Sequence, residues 1–73
     1  MHKKFYVSLG RNIKKYRNKA GLTQQNLADK VGISLNFMGK IEVAFSKPSI
    51  DTLVDIANTL NVTVSQLCEM END

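Results

Sequence analysis

Gln24-Gln25-Asn26-Leu27-Ala28-Asp29-Lys30-Val31-Gly32-Ile33-Ser34-Leu35-Asn36-Phe37-Met38-Gly39-Lys40-Ile41-Glu42 reads as two short helices joined by a tight turn. Each helix carries its own start signal. Thr23 stands where an N-cap belongs, with Leu22 before it placed to staple onto Leu27. The pattern repeats at Ser34, with Ile33 placed to staple onto Met38. Gly32 supplies the turn between them. A pair of this kind packs at a steep angle only if a small residue sits at the closest approach and apolar residues fill the inner faces. Ala28 is that small residue, and Leu27, Val31, Ile33, Met38 and Ile41 are the inner set.

Outward from this pair the apolar residues keep helical spacing, and no stretch alternates as a half-buried strand would. A preceding helix is predicted over 4–20, with Leu9, Ile13, Tyr16 and Ala20 on one face and Gly21 as its stop. The pair itself covers 24–31 and 35–43. After a loop at 44–47, Pro48-Ser49 start a fourth helix over 49–60 whose buried face carries Ile50, Leu53, Ile56, Ala57 and Leu60. Thr63-Val64-Ser65-Gln66 spells a capping box and opens a fifth helix over 64–70, with Cys68 buried. The tail Glu71-Asn72-Asp73 is expected to fray. The prediction is an all-α, five-helix fold occupying 1–73 as a single domain.

Seventy-three residues leave room for one domain. The single cysteine excludes an intramolecular disulfide, so a reducing cytoplasm is the expected location. No apolar run approaches the roughly 20 residues that span a bilayer, and no membrane association is expected. Charge is distributed unevenly. Up to Pro48 ten Lys and Arg face two acids, a net charge of +8, whereas from Ser49 onward there are five acids and no Lys or Arg. Such polarity turns the N-terminal two thirds toward a polyanion. A basic helix face is, by itself, ordinary solvated surface, and the asymmetry gains meaning only with the motif. The single histidine, His2, lies at the terminus, and no zinc set, nucleophile with its base, or phosphate-cradling glycine loop is present. No cofactor and no enzymatic activity are expected.

Leu9-Gly10-Arg11-Asn12-Ile13, Tyr16-Arg17, Gly21-Leu22-Thr23-Gln24, Leu27-Ala28, Val31-Gly32-Ile33-Ser34, Lys40-Ile41-Glu42, Lys47-Pro48-Ser49 and Leu60-Asn61-Val62 together resemble the Cro-like and phage-repressor-like (XRE-type) helix-turn-helix family of transcriptional regulators. The resemblance runs from Leu9 to Cys68. It implies a five-helix, lambda-repressor-like DNA-binding head. The helix from Leu35 would lie in the major groove, and the helix from Gln24 would cross the backbone with its N-terminus toward a phosphate. It also implies that Arg17 and Glu42 pair with each other, and that Gln24 contacts phosphate. Two departures stand out. At Asn26 the family often has an acid that closes a capping box with the Thr23 position, so this N-terminus is expected to be less tightly capped. Val43-Ala44-Phe45 replaces a usual polar residue, glycine and polar or basic residue, which puts phosphate holding by that loop in doubt.

Helical geometry selects the reading face. With Phe37, Met38 and Ile41 toward the core, about 100° per residue places Leu35, Asn36, Gly39 and Val43 opposite, with Lys40 at the edge. Asn36 can pair with an adenine edge, Lys40 with guanine or a phosphate, and Leu35 can pack on a thymine methyl. Gln24, Ser34, Leu35, Asn36, Gly39, Lys40, Val43 and Lys47 are the candidate DNA-contacting residues. Phe45 either tucks beneath the loop, the favoured reading, or stands out as an anchor at a dimer contact. The expected partner is double-stranded DNA carrying a pseudo-palindromic operator, bound by a homodimer whose contact patch comes from Val62, Val64, Leu67 or Met70. The alternative is a protein-interaction module, antitoxin-like or adaptor, using the same fold. The unusually apolar surface of Leu35, Gly39, Val43 and Phe45 favours it, and the basic N-terminal region argues against it.

Overall fold

A computed structural model describes residues 2–70. Five helices follow one another: α1 (Lys3–Lys19), α2 (Gln24–Val31), α3 (Leu35–Glu42), α4 (Ile50–Leu60) and α5 (Val64–Leu67). No strand occurs among the described residues, and none of the helices is long and apolar enough to cross a membrane. The expected fraying of 71–73 lies outside the described residues.

One apolar cluster holds the helices together: Leu9 and Ile13 from α1, Leu27 and Ala28 from α2, Met38 and Ile41 from α3, Leu53, Ile56, Ala57 and Leu60 from α4, and Leu67 from α5. Every helix gives its stripe to the same cluster, so none is stable by local propensity alone. The joints follow from capping chemistry. Thr23, Ser34, Ser49 and Thr63 each accept a backbone N–H from the residue three positions on, fixing the start of α2 to α5. α2 ends where Gly32 takes φ 83°, a left-handed conformation that suits a residue without Cβ.

Several expectations are corrected. Asn26 does close a capping box: its Oδ1 accepts from the Thr23 backbone N at 3.2 Å while Thr23 Oγ1 accepts from the Asn26 N at 3.0 Å. An amide oxygen does there what the acid was expected to do. Ile50 is not part of the buried face of α4 but 74% exposed. It is the first residue after the Ser49 cap, one turn before α4 meets the core at Leu53. Ala20 is exposed at the C-cap of α1, beyond the part of the helix that is covered. α5 stops at Leu67 rather than Met70, leaving Cys68 half-buried at its C-cap. The cause is a buried side chain on α1. Asn12 Nδ2 donates to the carbonyls of Leu67 at 2.9 Å and Glu69 at 2.8 Å, which bends the chain out of the helix.

Gly10 supplies a close approach that periodicity does not reveal. A Cβ there would lie 2.5 Å from the Glu42 carbonyl oxygen and 2.7 Å from that of Ile41. The middle of α1 therefore rests directly on the last turn of α3.

Candidate nucleic-acid interface

α2 and α3 are held in register by a polar chain of three residues at the edge of the core. Arg17 Nε donates to Glu42 Oε2 at 2.7 Å and Nη2 to Oε1 at 3.0 Å, a two-bonded fork that matches carboxylate geometry. The remaining guanidinium nitrogen, Nη1, donates to the Leu22 carbonyl at 2.9 Å and to Asn18 Oδ1 at 3.3 Å. Arg17 is 7% and Glu42 6% exposed, so this is an interior ion pair, as the sequence resemblance implied. Gln24 Nε2 completes the chain by donating to Glu42 Oε1 at 3.0 Å. The Gln24 amide is thus not loosely solvated, and its nitrogen is held on the carboxylate side.

That chain sets the neighbours of α3's outer face. Gln24, Leu35, Asn36, Gly39, Lys40 and Val43 line one open depression of about 530 Å³, and Phe45 joins them. Six of the eight residues singled out from sequence are therefore brought together. The other two stand apart from this set. Ser34 caps α3 through the Phe37 N–H at 3.0 Å. Lys47 is exposed, with Nζ 5.0 Å from the centre of the Tyr6 ring on α1. Gly39 lies in the middle of the face, and a Cβ there would meet Gln24 Oε1 at 3.7 Å, an ordinary contact.

Phe45 is not tucked beneath the loop: it is 77% exposed, beside Val43 at 73% and Leu35 at 43%. The reason lies in how α3 ends. Val43 leaves the helix as its C-cap, and Ala44 adopts φ 63°. Phe45 N then donates to the Lys40 carbonyl at 2.8 Å and Ala44 N to that of Ile41 at 3.1 Å, the pairing of a Schellman stop. This stop turns the chain outward at Phe45, whose ring stacks near Lys40 Nζ at 5.9 Å. Sequence reasoning left Phe45 out of the site because the left-handed position is occupied by alanine instead of glycine.

Along α1, Arg11 and Lys14 border a second groove with Val7, Gln24, Glu42 and Val43. It adjoins the start of α2, where the backbone amides of Gln24 and Gln25 have no carbonyl within their own helix to receive them.

Comparison with known proteins places this geometry. Residues 13–67 match the helix-turn-helix family. YqaE of Bacillus subtilis strain 168, named as an uncharacterised HTH-type transcriptional regulator, is 39% identical over 62 residues, which are 85% of this chain and 53% of that protein. The HTH-type transcriptional regulator ImmR of the same strain is 38% identical over 61 residues, 84% of this chain and 48% of that protein. The chain thus spans about half the length of these two relatives. Among solved structures, that of SinR, described as the master regulator for biofilm formation, in complex with DNA superposes with a TM-score of 0.78 at 32% identity, covering 84% of this chain and 98% of that one. SinR is likewise a Bacillus subtilis protein. With the motif matched from Ile13 to Leu67, the chain belongs to the XRE-type helix-turn-helix family, whose members include HTH-type transcriptional regulators and a phage immunity repressor.

Proposed function

We propose that this chain regulates transcription by binding a short, pseudo-palindromic operator as a homodimer, reading base edges through α3 and using α2 to fix the register. The observation that carries the reading is the outer face of α3. Asn36 and Lys40 stand on it beside Gly39, which raises no side chain against an approaching duplex. Asn36 offers the amide that pairs with adenine N6 and N7, and Lys40 a donor for guanine or phosphate. Gln24 and the first amides of α2 face the backbone, where a contact positions without discriminating. A half-site under one α3 is too short to be selective, and two heads one helical turn apart lengthen it. The SinR structure contains DNA, and the N-terminal +8 agrees in sign with that partner. A second reading, as a protein-interaction module, draws on the exposed Val43 and Phe45, and SinR has also been solved with a protein partner, SinI.

Selection of random duplexes on the purified protein, repeated with two variants, tests the proposal. Asn36→Ala loses the preference at one base pair per half-site, about 1–3 kcal/mol. Gln24→Ala lowers affinity for all sequences alike. Circular dichroism verifies that both are folded. An Asn36→Ala variant that selects the same sequences as the parent refutes reading by α3 in this register.

A further inference from the structure

We infer that the outer face of α3 and its stop recognise thymine C5-methyl groups in an A·T-rich half-site, with Val43 and Phe45 as specificity-determining residues beside Leu35. The inference rests on the operator reading above and deepens it.

The polar groups available for reading are few. Between Leu35 and Lys47 there is no arginine, the residue that most commonly reads guanine through O6 and N7. Glu42 is engaged by both Arg17 and Gln24, which donate to its carboxylate. Lys40 leans over the Phe45 ring, which draws its ammonium toward the end of the helix. Asn36 is left as the amide facing outward from the first turn of α3, and its matching base edge is adenine. The rest of the depression is apolar: Leu35, Val43 and Phe45 all present substantial exposed surface around Gly39.

Apolar surface gains by entering a groove only where it meets an apolar group. In the major groove that group is the C5-methyl of thymine, and an A·T pair presents it beside the adenine edge that Asn36 can take. The two kinds of contact therefore ask for the same base pair. Their spacing fits as well. Leu35 and Val43 are eight positions apart, about 12 Å along a helix axis at ~1.5 Å per residue, or roughly 3–4 steps of a duplex strand at ~3.4 Å each. Phe45 extends the set beyond the helix, because the left-handed Ala44 turns the chain outward there. Thymines at both ends of a half-site would be touched.

The test separates the methyl from every other property of the base. A duplex selected from a random pool is resynthesised with deoxyuridine in place of each thymidine, which preserves all hydrogen-bonding groups and deletes only the methyl. Affinity is expected to fall about fourfold for each contacted methyl, the worth of one buried carbon. Val43→Ser and Phe45→Ser, both at exposed positions, are each expected to lower affinity for the thymine duplex and to narrow the thymine-to-uracil ratio by about fourfold, with the remaining apolar residues keeping the rest of the preference. Equal binding of the two duplexes by the parent, or a selected half-site rich in G·C, overturns the inference while leaving operator binding intact. If no duplex is enriched at all, the operator reading itself fails and this inference with it. The apolar face is then free for a protein partner.

Discussion

Replacing Glu42 with alanine is expected to reveal what the three-residue polar chain contributes. In the parent, Glu42 accepts two bonds from Arg17 and one from Gln24, all at 2.7–3.0 Å. Its removal leaves Arg17 Nε and Nη2 without their partner in a site where the side chain has little access to water. Bonds to charged groups are worth about 1.5–3 kcal/mol each, so the two from Arg17 set an upper range of roughly 3–6 kcal/mol. Three effects reduce it. Nη1 keeps the Leu22 carbonyl and Asn18. Water can enter the space vacated at the protein edge. A negative charge also leaves the C-terminal end of α3, which relieves about 0.3–1 kcal/mol of unfavourable dipole interaction. The expected loss is therefore ~2–4 kcal/mol, in line with breaking one side of a buried pair. At about 4–8 °C per kcal/mol for a domain this small, Tm should fall by roughly 8–32 °C. Thermal and urea unfolding followed by circular dichroism measure it, with Arg17→Met and the double variant closing the cycle. The double variant should be less impaired than the sum of the two singles. A shift of under 2 °C for Glu42→Ala would refute the claim that the pair is desolvated, and with it the idea that Gln24 is oriented by a fixed carboxylate.

Three further outcomes follow from particular contacts. Gly10→Ala should lower stability by ~1–2 kcal/mol in urea titration, because a Cβ pressed against two backbone carbonyls outweighs the helix propensity gained, about 1 kcal/mol; a stabilised variant would mean that α1 and α3 are further apart. Ala44→Gly should raise the urea midpoint by the equivalent of ~0.5–1 kcal/mol, since a left-handed alanine costs roughly 1–2 kcal/mol and glycine returns part of that as chain entropy. The Cys68 thiol is pushed above its ordinary pKa by burial, so the folded protein should react with iodoacetamide at pH 8 more slowly than the urea-unfolded chain. Linkage gives the matching sign: with the folded pKa raised, the unfolded state loses its proton first, and stability declines as pH rises above the unfolded thiol's pKa.

Most of the architecture was legible because capping residues and apolar spacing are local signals. Thr23, Ser34, Ser49 and Thr63 each announced a helix, and the structure starts each of those helices within one residue of the expected position. What escaped depended on partners distant in the chain. The end of α5 could not be read from 64–70 because the amide that ends it belongs to Asn12. The role of Gly10 depends on carbonyls more than 30 residues away. The burial of Ile50 was overestimated because periodicity identifies a face without saying where along the helix the core begins. At the candidate site, helical geometry chose the residues of α3 correctly as neighbours. It could not foresee that Gln24 would be bonded to Glu42, or that a left-handed alanine would project Phe45.

The grip of Asn12 on the carbonyls of Leu67 and Glu69 has a consequence for how the chain is made. Helix α1 holds a buried amide whose two acceptors are translated more than 50 residues after it. Its other neighbours, α3 and α4, also come later in the chain. Until Glu69 has been made, α1 can fray and re-form, but its polar and apolar faces lack their full set of partners. Closing a loop of this length adds little entropic cost over a shorter one. The order of events is nonetheless fixed: the later-made turn after α5 completes the earlier-made α1. A ribosome stalled at Leu60 would hold a chain that already contains α2 and α3 but not the clasp between α1 and the chain around α5.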